Sequence, residues 1–565
     1  MTPQAPDTRA PRPLPPVSRR DPAQVMRLSR LGALHQSRLS FMRILLRRMA
    51  SEQWRFEVPV FDIDASGVGH AVLCAHGPER SYSLVAFAHD LPAAQRSDRV
   101  IATAWDATFT LFDGVPTAQD IKRLSRNVPL QEAGRISQHE LTLARANRSV
   151  RLWDHVVGKL ASGNQPDADL IDSIGYLMRT TAVYGSGKFG AADREDIARR
   201  PECAAPFQVE MLTVYLIRDF VGRLVNHMAR AKGGAGAVGL DPALRRRLGI
   251  GNSTGLGMAP FLINHPDLLN NWIMARETAL ARVRNLPDTA MMPRFERLLD
   301  RARRNADLWT SDHAGQQVRL TTLRADLTLF KAHLDSTNDT PRSWDGLFLW
   351  AQAHLEEDAQ EQIVSLMIEP HGSLVDDLAT SMASDTPPAR IDGAVSAGQM
   401  RALLTRQYGW ALDIDWHAAE QTARVWYVSA EKLEPRLGER ALEPIAPYEQ
   451  PLAPARDMAA LDKCLGTWPE KALLADVLLA HPEHRHAARR AQLCDALPYG
   501  ELHDNTVHAA MQPIDMLRCK LSFFGAGHFD PRSDRWVRIN MFRFAPLPDE
   551  LATMDPMHDD WAYPL

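Results

Sequence analysis

Leu177-Met178-Arg179-Thr180-Thr181-Ala182-Val183-Tyr184-Gly185-Ser186-Gly187-Lys188-Phe189 has a second version in the same chain. The second reads Met516-Leu517-Arg518-Cys519-Lys520-Leu521-Ser522-Phe523-Phe524-Gly525-Ala526-Gly527-His528-Phe529. Each is followed by Asp-Arg (Asp193-Arg194, Asp534-Arg535), by Ala-Pro (Ala205-Pro206, Ala545-Pro546) and by an acid (Glu210, Glu550). Single-residue gaps bring the two into line. Such self-similarity predicts an α+β fold with two internally duplicated α+β repeats related by a pseudo-twofold axis. The versions differ at their polar tips, where Ser186 and Lys188 stand opposite Ala526 and His528. A duplicated scaffold with diverged tips is one way to build a single asymmetric active site. A fainter echo lies upstream, Phe61-Asp62-Ile63-Asp64 against Leu412-Asp413-Ile414-Asp415.

Outward from these turns, five regions are expected. Residues 1–22, rich in Pro and Arg, read as a disordered tail. Residues 23–52 read as a basic amphipathic helix, part of a first fifty residues that hold ten Arg and two Asp. Such a helix packs on its own domain or on a dimer mate more readily than on a membrane. Residues 53–212 form the first repeat. It opens with β-like runs at 55–63, 69–75, 81–88 and 100–112 in an antiparallel meander, followed by helical periodicity over 117–126, 137–161 and 166–180. Residues 213–400 form a long helical insertion. Residues 401–565 form the second repeat, with β-like runs at 410–415 and 423–429 and helices over 455–497.

Composition narrows the function classes. The chain has 565 residues, 45% hydrophobic and 24% charged, with a net charge of -4. That is ordinary globular composition and gives no reason to expect nucleic acid as a partner. No uncharged apolar run approaches the roughly 20 residues that span a bilayer, so no membrane partner is expected. Five scattered Cys with no C-x-x-C argue for reduced thiols and a cytoplasmic location.

Two glycine-rich stretches carry the candidate chemistry. In Tyr184-Gly-Ser186-Gly-Lys188 the glycines admit close backbone approach and Lys188 offers a charge for carboxylate or phosphate. It is not a P-loop, because Ala182 and Phe189 occupy required Gly and Ser/Thr positions. Gly249-Ile-Gly251-Asn252-Ser253-Thr254-Gly255-Leu-Gly257 precedes a helix and reads as a capping loop whose N–H groups cradle an anion. Its G-x-S-x-G lacks the buried strand that a hydrolase elbow needs, since Leu244-Arg-Arg-Arg-Leu248 reads as a basic helix end. His481-Pro-Glu-His484 has no acid or Cys at a ligating spacing, and no metal is expected.

These readings predict a cytoplasmic enzyme acting on a small anionic, carboxylate-bearing metabolite by metal-independent acid–base chemistry of the lyase or isomerase type. Lys188, His528 and Ser186 are the expected catalytic residues, with the site between the two repeats. Tyr184, Arg194, Asn252, Ser253 and Thr254 are the expected substrate-binding residues. No cofactor is assigned, although flavin and pyridoxal sites often lack a local signature and Lys188 suits a Schiff base. A homodimer is expected from the Arg-rich helix. The alternatives are a Ser-dependent hydrolase or acyltransferase, and a non-enzymatic helical interaction scaffold.

Overall fold

The computed structural model describes residues 17–96, 104–130, 137–181, 197, 199–255, 262, 265–336, 342–382, 390–416, 454–503, 513–530, 536–556 and 559–563. The architecture is mixed α+β. Among the described residues, nine strands form one sheet in the order β1-β2-β3-β4-β5-β6-β7-β9-β8. They are β1 (Arg55–Ile63), β2 (Gly69–His76), β3 (Ser81–Ala88), β4 (Ala107–Asp113), β5 (Glu140–Arg148), β6 (Tyr176–Thr180), β7 (Gly249–Gly255), β8 (His528–Asp530) and β9 (Trp536–Met541). The first four are the antiparallel meander expected from the sequence, and β5 extends it. Edge strand β1 carries Pro59 at a register shift, where a missing N–H costs no ladder bond.

Both faces of the central strands are covered. The helix Gln208–Gly233 lies across β2 to β7 and buries Leu73, Leu84, Phe109 and Ala144. On the other face the helix Ala118–Asn127, held by a Thr117–Asp120 capping box, sets Leu124 against Val72, Val85, Phe87 and Phe112. Helices from Pro266 to Met382 extend the main core. Four further helices, Ala397–Leu412, Pro454–Leu465, Leu474–Ala480 and Arg485–Ala496, enclose a separate core around Met400, Leu404, Met458 and Val477. Glu501 ties that unit down by accepting from Tyr408 Oη at 3.0 Å and pairing with Arg490. No described helix is long and apolar enough to cross a membrane.

Several expectations fail for identifiable reasons. Helical periodicity over 137–161 and 166–180 conceals strands β5 and β6. Glu140–Arg148 is built from helix formers, but it is buried on both sides, so no polar alternation marks it as a strand. Gly249–Gly255 is not a capping loop but a strand paired with β6 and β9. Its glycines admit neighbours where side chains would not fit. Trp410–Leu412, expected extended, closes the helix Ala397–Leu412, while the 423–429 run lies outside the described residues. The matched triplets also differ in backbone form: Leu177–Arg179 lies in a strand and Met516–Arg518 in the helix Pro513–Cys519.

The N-terminal segment departs furthest. A continuous helix over 23–52 is replaced by short turns at Pro22–Val25 and Leu28–Arg30, a non-helical stretch, and the helix Phe41–Ser51. The expected disordered tail fails for Val17–Pro22, because Arg20 is buried and bridges Glu277 (2.8 Å) and Glu361 (2.7 Å). The basic face points inward. Arg43 is fully buried between Glu369 and Asp559, donating to Glu369 Oε2 and Asp559 Oδ1 at 2.8 Å each. Arg38 binds Asp376 at 2.7 Å and Arg47 binds Asp559 at 3.1 Å. Burial alone would raise the Glu361 carboxyl, yet Arg20 and Arg276 beside it hold it down at about 2.

Removing one partner of such a buried group strands the others without compensation. Arg43→Met is therefore expected to cost roughly 3–5 kcal/mol in denaturant unfolding. His35 stacks on Tyr563 with ring centroids 4.4 Å apart, and neither ring nitrogen has a hydrogen-bond partner among the described residues. Burial pushes its pKa down to about 4, so the unfolded chain binds the proton more tightly. Stability is thus expected to fall as pH drops from about 6.5 towards 4. His35→Phe, which keeps the stack, should flatten that part of a melting-temperature profile against pH.

Candidate functional site

The sheet register assembles a polar row across five strands. Asn147 of β5 pairs with Arg179 of β6, and Arg179 with Gly251 of β7. Gly251 pairs with Asn540 of β9, and Asn540 with the His528 position of β8. Side chains alternate along a strand, so Arg145 shares the face of Asn147, and Arg538 that of Asn540. Three guanidinium groups and two amides therefore stand on one face of a rigid sheet. Arg145 lies over the Trp105 ring, 4.2 Å from its centroid. At the β4 end, Asp106 donates its N–H to Asn147 Oδ1 at 3.3 Å and accepts from Arg148 N–H at 3.0 Å.

Burial makes this row unusual. Arg179, Asn147 and Asn540 are only 2%, 2% and 0% exposed. Asn540 Nδ2 donates to Ile174 O at 3.3 Å, but Asn540 Oδ1, Asn147 Nδ2 and the Tyr176 hydroxyl have no hydrogen-bond partner among the described residues. Each such atom costs about 1–3 kcal/mol if left dry, so the row carries unspent hydrogen-bonding capacity. Gly251 provides the space. A Cβ there would lie 2.5 Å from Arg179 Cγ and 2.8 Å from the Tyr176 ring, so only glycine lets both side chains rest on the backbone.

Strand direction sets the two glycine-rich stretches differently, since the chain enters the first on leaving β6 and leaves the second on entering β8. β6 and β7 are parallel, and β8 runs with them because β7 and β8 are both antiparallel to β9. All three strands therefore end at one edge of the sheet. The ends of parallel strands are where open α/β sheets place ligands. Arg179 and the His528 position are three strand spacings apart, about 14 Å between backbones. Tyr184, Ser186, Lys188 and Arg194 follow β6 in the chain and lie outside the described residues.

The strand also separates residues expected to act together. Asn252 is fully buried opposite Ile539, on the face of Ile250 and Met541 and away from the Arg179 row. Ser253 and Thr254 occupy ladder positions opposite Arg538 and Val537. Their backbone pairs with the neighbouring strand, which removes the proposed cradle of free N–H groups.

Sequence reasoning passed over Asn147, Asn540 and Lys520. Nothing local marks the two asparagines, whose neighbours come from distant strands. Lys520 had a visible signal, a lone cation within Cys-Lys-Leu-Ser-Phe-Phe. It lies in a π-helical turn before Gly525, with Nζ 3.9 Å from the Phe524 ring centroid. Burial lowers its pKa to about 7, into the range where an amine exchanges protons at neutral pH. Among the described residues, one group of His, Cys and acidic side chains comes within metal-ligating reach, on β1 and β2.

Gly251→Ala is expected to displace Arg179 and Tyr176 and to lower the melting temperature. Gly239→Ala, at a glycine whose Cβ would meet open space, should leave it nearly unchanged. Thermal unfolding of the two variants side by side checks both.

Comparison with protein-family models, with curated proteins and with solved structures finds no match for this chain.

Proposed function

We propose that this chain is an enzyme that binds a small carboxylate-bearing metabolite over the polar face of β5, β6, β7 and β9 and acts on it by acid–base chemistry. The observation that supports the reading is the buried row of Asn147, Arg179 and Asn540, with unspent amide valences beside a guanidinium. Arginine presents a planar fork that matches a carboxylate, and buried amides fix the orientation of polar substrate groups. Lys188 and His528 are the proposed proton carriers, the first on the chain leaving β6 and the second at the start of β8. Proton abstraction with elimination or reprotonation, a lyase or isomerase reaction, needs no more than such a pair and an anion-stabilising group. Ser186, Arg194 and Tyr184 belong to the same proposed site by their place after β6.

The pseudo-twofold repeat forms no part of this proposal, because Arg179 lies on a strand and Arg518 on a helix. Nor does a homodimer, since the arginines that suggested one are paired within the chain. A reducing compartment remains part of it, supported by five free cysteines.

The test is a thermal-shift screen of small mono- and dicarboxylates against wild type, Arg179→Met and Lys188→Ala. At least one carboxylate should stabilise wild type and lose its effect in Arg179→Met, whereas Lys188→Ala should bind it without turnover. Absence of any stabilising carboxylate, or equal stabilisation of the Arg179→Met protein, would overturn the reading.

A further inference from the structure

The β1–β2 hairpin holds a second constellation, four strands away from Arg179. Cys74 and His76 sit two apart on β2, and Glu57 of β1 is registered directly opposite Cys74. One ligand atom from each, a sulfur, a ring nitrogen and a carboxylate oxygen, lies within 4.8 Å of the other two. Period-two spacing on one strand with a cross-strand partner is a rigid way to aim three side chains at one point.

The surroundings suit coordination. His76 Nδ1 lies 2.8 Å from Ser81 Oγ, and its Nε2 lies 2.9 Å from Glu57 Oε1. A hydroxyl that accepts from Nδ1–H leaves the Nε2 lone pair facing Glu57, an arrangement that a cation between them would satisfy. Ser83 Oγ commits its proton to Gly114 O at 2.7 Å, so it stands as acceptor towards the Cys74 thiol at 3.2 Å. Cys74 is fully buried, whereas the His76 and Glu57 side chains are 20% and 58% exposed. The site is thus anchored on the inside and open to solvent on the outside.

We infer that Glu57, Cys74 and His76 form a binding site for a divalent d-block cation of the zinc or cobalt kind, with a coordination position left to water. Thiolate and imidazole select such ions over magnesium and calcium, which prefer all-oxygen sites. On binding, the Cys74 proton leaves to solvent, the His76 ring proton stays on Nδ1 towards Ser81, and the Nε2 lone pair and the Glu57 carboxylate that face each other each form a coordinate bond to the cation. The thiolate is the ligand, so affinity grows with pH as its proton becomes easier to displace. A bare Ser81–His76–Glu57 hydrogen-bonded chain is the competing account, and it makes no use of the sulfur.

Cobalt(II) alone, titrated into the full chain, distinguishes the two. One equivalent should produce a thiolate-to-cobalt charge-transfer band that strengthens with rising pH and is absent from Cys74→Ser. Ser81→Ala, which removes only the group orienting the ring, should weaken binding about tenfold or more. His76→Ala, at a partly exposed position, and Glu57→Gln, at an exposed one, should weaken it further, with circular dichroism unchanged. No charge-transfer band in wild type at excess cobalt would overturn the inference. So would a band that survives in both Cys74→Ser and His76→Ala.

Discussion

The structure depends on burying the charges of its N-terminal segment. Arg20, Arg38, Arg43 and Arg47 come from a stretch that also buries Met26, Leu31, Leu34, Phe41 and Leu46, and they end among the least accessible side chains of the molecule. Their partners are Glu277, Glu361, Glu369, Asp376 and Asp559. An unpaired guanidinium in that environment would be prohibitively costly, so the segment, the central helices and the C-terminus must fold together or not at all. The geometry gives specificity more than strength. Hydrophobic residues of similar volume could be as stable, but they would not fix which helix face meets which arginine.

This network also positions the second glycine turn. A Cβ on Gly32 would meet Arg518 O, Ser40 packs on Gly525, and Gln36 lies beside Gly527. The non-helical stretch between Leu28–Arg30 and Phe41–Ser51 is thereby wedged against the turn that leads into β8. Gly527 N–H then donates to Asn540 O, joining that turn to the polar row. The ionic anchor, the glycine turn and the candidate site thus form one mechanical chain. The metal-ligating hairpin stands apart at the opposite end of the sheet, supported by β3 and by the helix Ala118–Asn127.

Legibility in the sequence follows contrast. β1 and β3 could be read to the residue because β-branched and aromatic residues stand between clear turn signals. β5 and β6 were hidden because burial on both faces removes the alternation that marks a strand, while Leu, Ala and Arg are good helix formers. β7 was hidden by its glycines, which read as a loop but serve to let Arg179 and Tyr176 close over a strand. The two matched stretches agree only as a pattern of letters. Their described starts nonetheless fold differently, because Leu177–Arg179 is held in a sheet and Met516–Arg518 lies in a helix packed against β7 and β9.

The sequence by itself determined the mixed class and the first four strands of the meander. These rest on local pattern: periodicity, capping and the freedom of glycine are properties of neighbouring residues. Tertiary structure alone decided that Asn147, Arg179 and Asn540 stand in one row, that Asn252 faces away from them, and that Glu57 meets Cys74 and His76. Those facts depend on strand order and register, which are set by how two sides of a sheet are buried at once. No stretch of chain short enough to read carries that information.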